Sequence, residues 1–160
     1  MATLPQLIEE DVRRLDEALD EFSRKTEGTA ALIIDKGGFL LAHQGEADRL
    51  DLTSIGALAA GAFMANQSIA GLLDEKKFDT LHQQGENLSL FVSDVDEHCL
   101  LVVIFKSASG IGVVKYYAAG VVQKIAAQLA VADARGSGGG LDLSALNCAN
   151  PQEFFRKKTA

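Results

Sequence analysis

Apolar residues recur along the chain in two rhythms, one at helical spacing and one in short runs of five or six. From Pro5 to about Ser23, Ile8, Val12, Leu15, Leu19 and Phe22 follow each other at steps of four and three. That is one buried stripe of a helix, with Arg13, Asp16, Glu17, Asp20 and Glu21 left to face water. Thr3 is placed to cap it, Pro5 sits in its first turn, and Glu9, Glu10 and Asp11 suit the positive helix end. Thr29 to Ile34 is an uninterrupted apolar run, and the turn Asp35-Lys36-Gly37-Gly38 leads to a second run, Phe39 to Ala42. The pair reads as a hairpin. A strand apolar at every position is covered on both faces, so helices are required on both sides of the sheet.

Three further runs form a meander: the polar Phe78 to Gln83, suited only to a sheet edge, then Leu88 to Val92, and then Leu100 to Phe105. Leu100 to Phe105 is apolar throughout, and it belongs beside Thr29 to Ile34 at the sheet centre. A last helix runs from Ile111 to about Ala134, with Ile111, Val114, Ala118, Val121, Ile125 and Leu129 on one stripe. These elements predict an α+β fold: a five-stranded antiparallel sheet between one helix on one face and two on the other. The domain spans 1–135, a Gly/Ser linker 136–140, and a tail 141–160 that is disordered or docked.

The helix between hairpin and meander, Leu52 to Leu73, carries no Lys, Arg, Asp or Glu. Its spacing puts Ile55, Leu58, Ala62, Ile69 and Leu73 on the core side. Gly56, Ala60, Phe63, Met64, Gln67 and Gly71 are left on the far side, where a surface helix ordinarily shows charge. About 20 residues suffice to cross a bilayer, but Thr53, Ser54, Asn66, Gln67 and Ser68 interrupt the run and neither flank is basic. A domain of this size has few places for a helix buried all round. The reading we favour is a helix with one face on its own sheet and the other on a partner.

Composition narrows the partner. The chain has 160 residues, is 48% hydrophobic, and carries a net charge of −7. That balance suits one domain and repels nucleic acid and anionic membranes, so no nucleic-acid partner and no membrane insertion are expected. Cys99 and Cys148 make neither a zinc spacing nor a disulfide framework. The opening residues are acidic within a dozen positions and lack a signal peptide's basic start and long apolar core, so a cytoplasmic location is expected.

Candidate chemistry is sparse. Ser109-Gly110-Ile111-Gly112-Val113-Val114-Lys115 lies between strand and helix like a phosphate loop, but it lacks the full glycine pattern and the Lys-Ser/Thr ending, and a tight turn explains its glycines. Asp94, Asp96, Glu97 and His98 fit no calcium loop and read as a solvated hairpin tip. His43 and His82 have no nucleophile motif near them. No catalytic residue, metal ligand or cofactor site is assigned, and the chain is not expected to be an enzyme.

The order helix, hairpin, helix, three-strand meander, helix resembles the roadblock family, the domain shared by dynein light chains and bacterial regulators of Ras-like small GTPases. The blocks that carry the resemblance are the small-residue helix GALAAGAFMANQSIAGLL, the run Cys99 to Phe105, and Gly110 to Lys115 opening the last helix. It covers about Leu7 to Ala134. The resemblance implies two copies paired through the middle helix and the edge strand after it. Gly56, Ala60, Phe63, Met64, Gln67, Gly71, Phe78, Thr80 and His82 are then the dimer or partner interface. It also implies a homodimeric regulator or binding platform for a Ras-like small GTPase, stimulating hydrolysis, where it does so, by reshaping the GTPase's own site rather than by a catalytic arginine. Arg49, before the middle helix, is not nominated for that role. The alternative is a scaffold assembling filament, motor or signalling components; a small-molecule sensor ranks behind both. Outside the resemblance, Phe154, Phe155, Arg156 and Lys157 form a candidate docking segment, an apolar anchor beside positive charge.

Overall fold

The computed structural model describes residues 3–138. Three helices, α1 (Glu9–Thr26), α2 (Leu52–Leu72) and α3 (Ile111–Gly138), accompany five strands: β1 (Ala30–Asp35), β2 (Leu40–Gly45), β3 (Thr80–Gln84), β4 (Leu88–Asp94) and β5 (Cys99–Lys106). The strands form one antiparallel sheet in the order β2-β1-β5-β4-β3. The two fully apolar strands are neighbours at its centre, as their patterns require.

Strand alternation divides the core into two layers. Ala31 and Ile33 of β1, with Leu101, Val103 and Phe105 of β5, point to the side of Leu15, Leu19 and Phe22 of α1 and Val114, Ile125 and Leu129 of α3. Ala30, Leu32, Ile34, Leu100, Val102 and Ile104 point to the other side, where α2 covers them with Ala47 and Leu50 of the loop before it. The expected sandwich of one helix, sheet and two helices is what forms.

Two element ends differ from the sequence reading. Helix α1 starts at Glu9 rather than near Pro5, because the Asp11 carboxylate accepts the Ile8 N–H at 2.8 Å and fixes the helix start there. Thr3 therefore caps nothing, and Leu4 and Leu7 pack on the core as extended chain. Helix α3 runs on to Gly138, so Gly136 to Gly138, expected to open the 136–140 linker, are helical. Arg135 supplies a reason: its guanidinium bonds Asp11, whose side chain is completely buried, and anchors the last turns of α3 to α1. Positions 139–160, with the candidate docking residues Phe154, Phe155, Arg156 and Lys157, lie outside the described residues.

The β1–β2 turn is held against α2 by Gly38. Its φ is +94°, and a Cβ there would stand 2.7 Å from the Ala57 Cα. Both the backbone angle and the space exclude a side chain. Gly38→Ala is expected to lower stability by about 1–3 kcal/mol, read as a shift in urea midpoint at unchanged slope.

Candidate interaction surface

Helix α2 begins where Asp51 accepts the Ser54 N–H at 3.0 Å and the Ser54 hydroxyl at 2.6 Å. The Ser54 hydroxyl first, and then its amide, hold the Asp51 carboxyl below its ordinary range. At the other end Gln67 clamps the chain leading into β3, its Nε2 donating to the Phe78 carbonyl (2.7 Å) and its Oε1 accepting the Phe78 N–H (3.1 Å). This two-way bond ties the chain that enters β3 to the last turns of α2.

The spacing placed only part of α2 correctly: Ile55 packs on the core and Met64 and Gly71 are exposed as expected, but the centre of the buried face lies elsewhere. Gly56, Ala60 and Phe63, expected to meet a partner, are buried with Leu52, Ala59 and Ala70 against the sheet. The small residues let the helix approach the branched side chains of β1 and β5 so closely that a Cβ added at Gly56 would stand 3.1 Å from Ile34 Cγ2, and Phe63 fills the remaining space. Leu58, Ile69 and Leu73, expected in the core, point outward: Leu58 is 75% exposed, Leu73 65% and the neighbouring Leu72 85%. Of the other candidates, Met64 and Gly71 are exposed, Gln67 and Phe78 are half-buried in their own clamp, and Thr80 and His82 are exposed on β3. The His82 ring also stacks over Phe105, 6.0 Å between centroids. Both faces of α2 are apolar, so periodicity alone carries no sign of which one is inside.

The corrected surface is thus Leu58, Met64, Ile69, Leu72 and Leu73 on α2, flanked by β3. Among the described residues only β4 pairs with β3, so its outer edge presents unpaired backbone groups. Gly61 and Gly71 lie on the outside of the helix, where an added Cβ meets nothing. Between α2 and the β3–β4 hairpin runs an open trough of about 570 Å³ walled by Leu50, Ile55, Leu58, Leu88, Leu90 and Ile104. Among the described residues no titratable side chain lines it, which suits an apolar protein side chain better than a small polar ligand. By length and composition α2 is also the one helix among the described residues that could cross a bilayer, yet its inner face is committed to the sheet of this domain.

The remaining candidate chemistry resolves into structure. Asp94 sits between Lys36 (2.9 Å) and Lys77 (3.0 Å), joining the β1–β2 turn and the α2–β3 loop to the β4–β5 turn. The Asp96 carboxylate accepts the N–H groups of His98 (2.8 Å) and Cys99 (2.9 Å) and shapes that turn. Burial above all, with Asp96 and Asp35 nearby, pushes the Cys99 thiol up to about 12, which makes it a poor nucleophile. No cluster of three or more metal-ligating side chains occurs among the described residues. Gly110, at φ +74°, turns the chain from the single 3-10 turn Ser107–Ser109 into α3. Arg49 is exposed and makes no ion pair among the described residues.

The model of the Roadblock/LC7 domain matches residues 14–105. Among solved structures, one described as MglB with a tetrameric arrangement is 31% identical with a TM-score of 0.76, covering 82% of this chain and 99% of that one. The gliding protein MglB from Thermus thermophilus is 32% identical with a TM-score of 0.74, over 81% and 98% of the two chains. Myxococcus xanthus MglB, at 24% identity and a TM-score of 0.74 over 79% and 96%, shares the fold. No curated protein sequence matches the chain.

Proposed function

The chain belongs to the Roadblock/LC7 family, and from that premise we propose that it is a homodimeric regulator of a Ras-like small GTPase. The observation that carries the reading is the uncharged outer face of α2 beside the open edge of β3. Leu58, Leu72 and Leu73 standing in water are unfavourable by roughly 1.5–3 kcal/mol each relative to burial. A two-fold partner removes that exposure, and pairing of the two β3 edges satisfies their backbone groups in a single sheet across the dimer.

The regulator acts without nucleotide chemistry of its own. It binds the GTPase on the surface that α2 and β3 present, and it alters hydrolysis by holding the GTPase's own loops in place. Arg49 is a surface residue in this reading and supplies no transition-state charge. The trough between α2 and the β3–β4 hairpin receives apolar side chains of the dimer mate or of the GTPase.

The test is a pull-down of cytoplasmic small GTPases loaded with GDP or with a non-hydrolysable GTP analogue, followed by turnover assays. Preferential retention of one nucleotide state is expected, with no GTP turnover by the purified chain and unchanged stimulation by Arg49→Ala. Nucleotide-independent retention of non-GTPase proteins alone would replace the regulator with a scaffold. Loss of stimulation in Arg49→Ala at unchanged binding would give that arginine the catalytic part denied it here.

A further inference from the structure

The opposite side of the molecule carries a second surface with its own chemistry. From Ile111 to Ala132, α3 bears two charges, Lys115 and Lys124, and no acidic residue. Tyr116 is 76% exposed beside the exposed Val113, and its ring meets Tyr117 edge-on with centroids 5.1 Å apart. Between this part of α3 and the end of α1 lies a groove of about 260 Å³. Phe22, Tyr116, Tyr117 and Val121 supply its apolar walls, and at Gly120 an added Cβ meets nothing, so its floor is open.

The rim is cationic. Lys25 lies 5.7 Å from the centre of the Tyr117 ring and 2.6 Å from Glu21, and Lys124 bonds the other oxygen of the same carboxylate. Lys124 first, and then Lys25, draw the Glu21 carboxyl down to about 2. One carboxylate thus faces two ammonium groups. The result is a local positive excess around an aromatic pocket, on a chain whose net charge is −7.

We propose that this groove between α1 and α3 docks an acidic segment of a partner protein, one bulky apolar side chain entering between the tyrosines and flanking carboxylates meeting Lys25 and Lys124. Charge complementarity selects that occupant. A second copy of the chain would bring the same positive excess to the contact, and like charges at an interface are unfavourable. The volume holds one or two side chains and falls below the range of small-molecule sites, and an exposed aromatic with a cationic rim is the composition of a protein contact. Because α2 covers the other face of the sheet, this site and the α2–β3 surface are available at once.

The chain has two tyrosines, both at this groove, and no tryptophan, so the intrinsic tyrosine emission of the full-length protein reports the site directly. The probe is a synthetic peptide of about a dozen residues, glutamate-rich with one central phenylalanine and no Tyr or Trp; its twin carries lysine for glutamate. A saturable change in emission with the acidic peptide and none with the basic twin is expected. Lys124→Glu and Lys25→Glu should each weaken binding about tenfold, which corresponds to about 1.4 kcal/mol. Added salt should weaken binding as well. Tyr116→Ser, at an exposed position that leaves the fold intact by circular dichroism, should weaken it too, while Leu58→Glu on the far side should not. Equal response to both peptides, or affinity indifferent to Lys124→Glu and Lys25→Glu, would overturn the proposal without touching the α2–β3 reading.

Discussion

Leu58→Glu is expected to convert the proposed dimer to a folded monomer. Leu58 is 75% exposed on α2 and lines the trough facing β3 and β4, so a carboxylate there is solvated in the isolated chain and costs its fold little. In a two-fold dimer each copy contributes the substitution, and two unpaired carboxylates lose their water. Several kcal/mol are at stake, and about 4 kcal/mol raises the dissociation constant about a thousandfold. Light scattering across micromolar concentrations reads this directly, with circular dichroism to confirm the fold. Phe63→Glu makes the contrast. Phe63 is 2% exposed in the layer beneath α2, so its replacement should unfold the chain rather than divide the dimer. If Phe63→Glu instead gave a folded monomer and Leu58→Glu stayed dimeric, the orientation of α2 described here would be wrong.

That pair of variants marks where the sequence stops being informative. The sheet was readable because its two central strands are apolar at every position but the last, and such strands have one place to go. The second strand, the meander and α3 followed from turns and spacing, with ends displaced by a few residues. The orientation of α2 was not readable. Gly56, Ala60 and Phe63 on one side and Leu58, Ile69 and Leu73 on the other are both apolar sets, and only the shape of the opposing sheet decides between them. Small residues won the inner face because Ile34, Val102 and Leu100 already fill that layer. Gln67 looked like a surface contact because its partner, Phe78, is eleven residues away and is reached through the backbone, which leaves no pattern in side-chain type. Arg135 looked like the last residue before a glycine linker, and its partner Asp11 like one more acid at a helix start. A pairing across 124 positions has no local signature.

Asp11 is where the chain's acid sensitivity should concentrate. Its side chain is wholly buried, and burial pushes its carboxyl up. The Ile8 N–H, the Arg135 guanidinium and the Gln128 amide at 2.7 Å together outweigh that, so its pKa in the folded protein is lowered. A carboxylate with a depressed folded pKa contributes stability that is fully present above its unfolded value, about 3.9, and is lost as pH falls through the folded value. Asp11→Asn keeps the shape and removes the charge. It should cost about 1.5–3 kcal/mol at pH 7, the worth of hydrogen bonds to a charged group, and the figure belongs near its low end because the Arg135 side chain is 40% exposed and can rehydrate. Glu10, Glu21 and Asp51 are also held below their ordinary values and give wild type and variant a common acid slope. The difference between the two therefore isolates Asp11. Thermal melts from pH 7 downward should show a constant gap to about pH 5, then two curves converging below about pH 4. A gap that persists undiminished at about pH 2.5 would mean that Asp11 acts through shape alone and that its charge does not hold α1 to the end of α3.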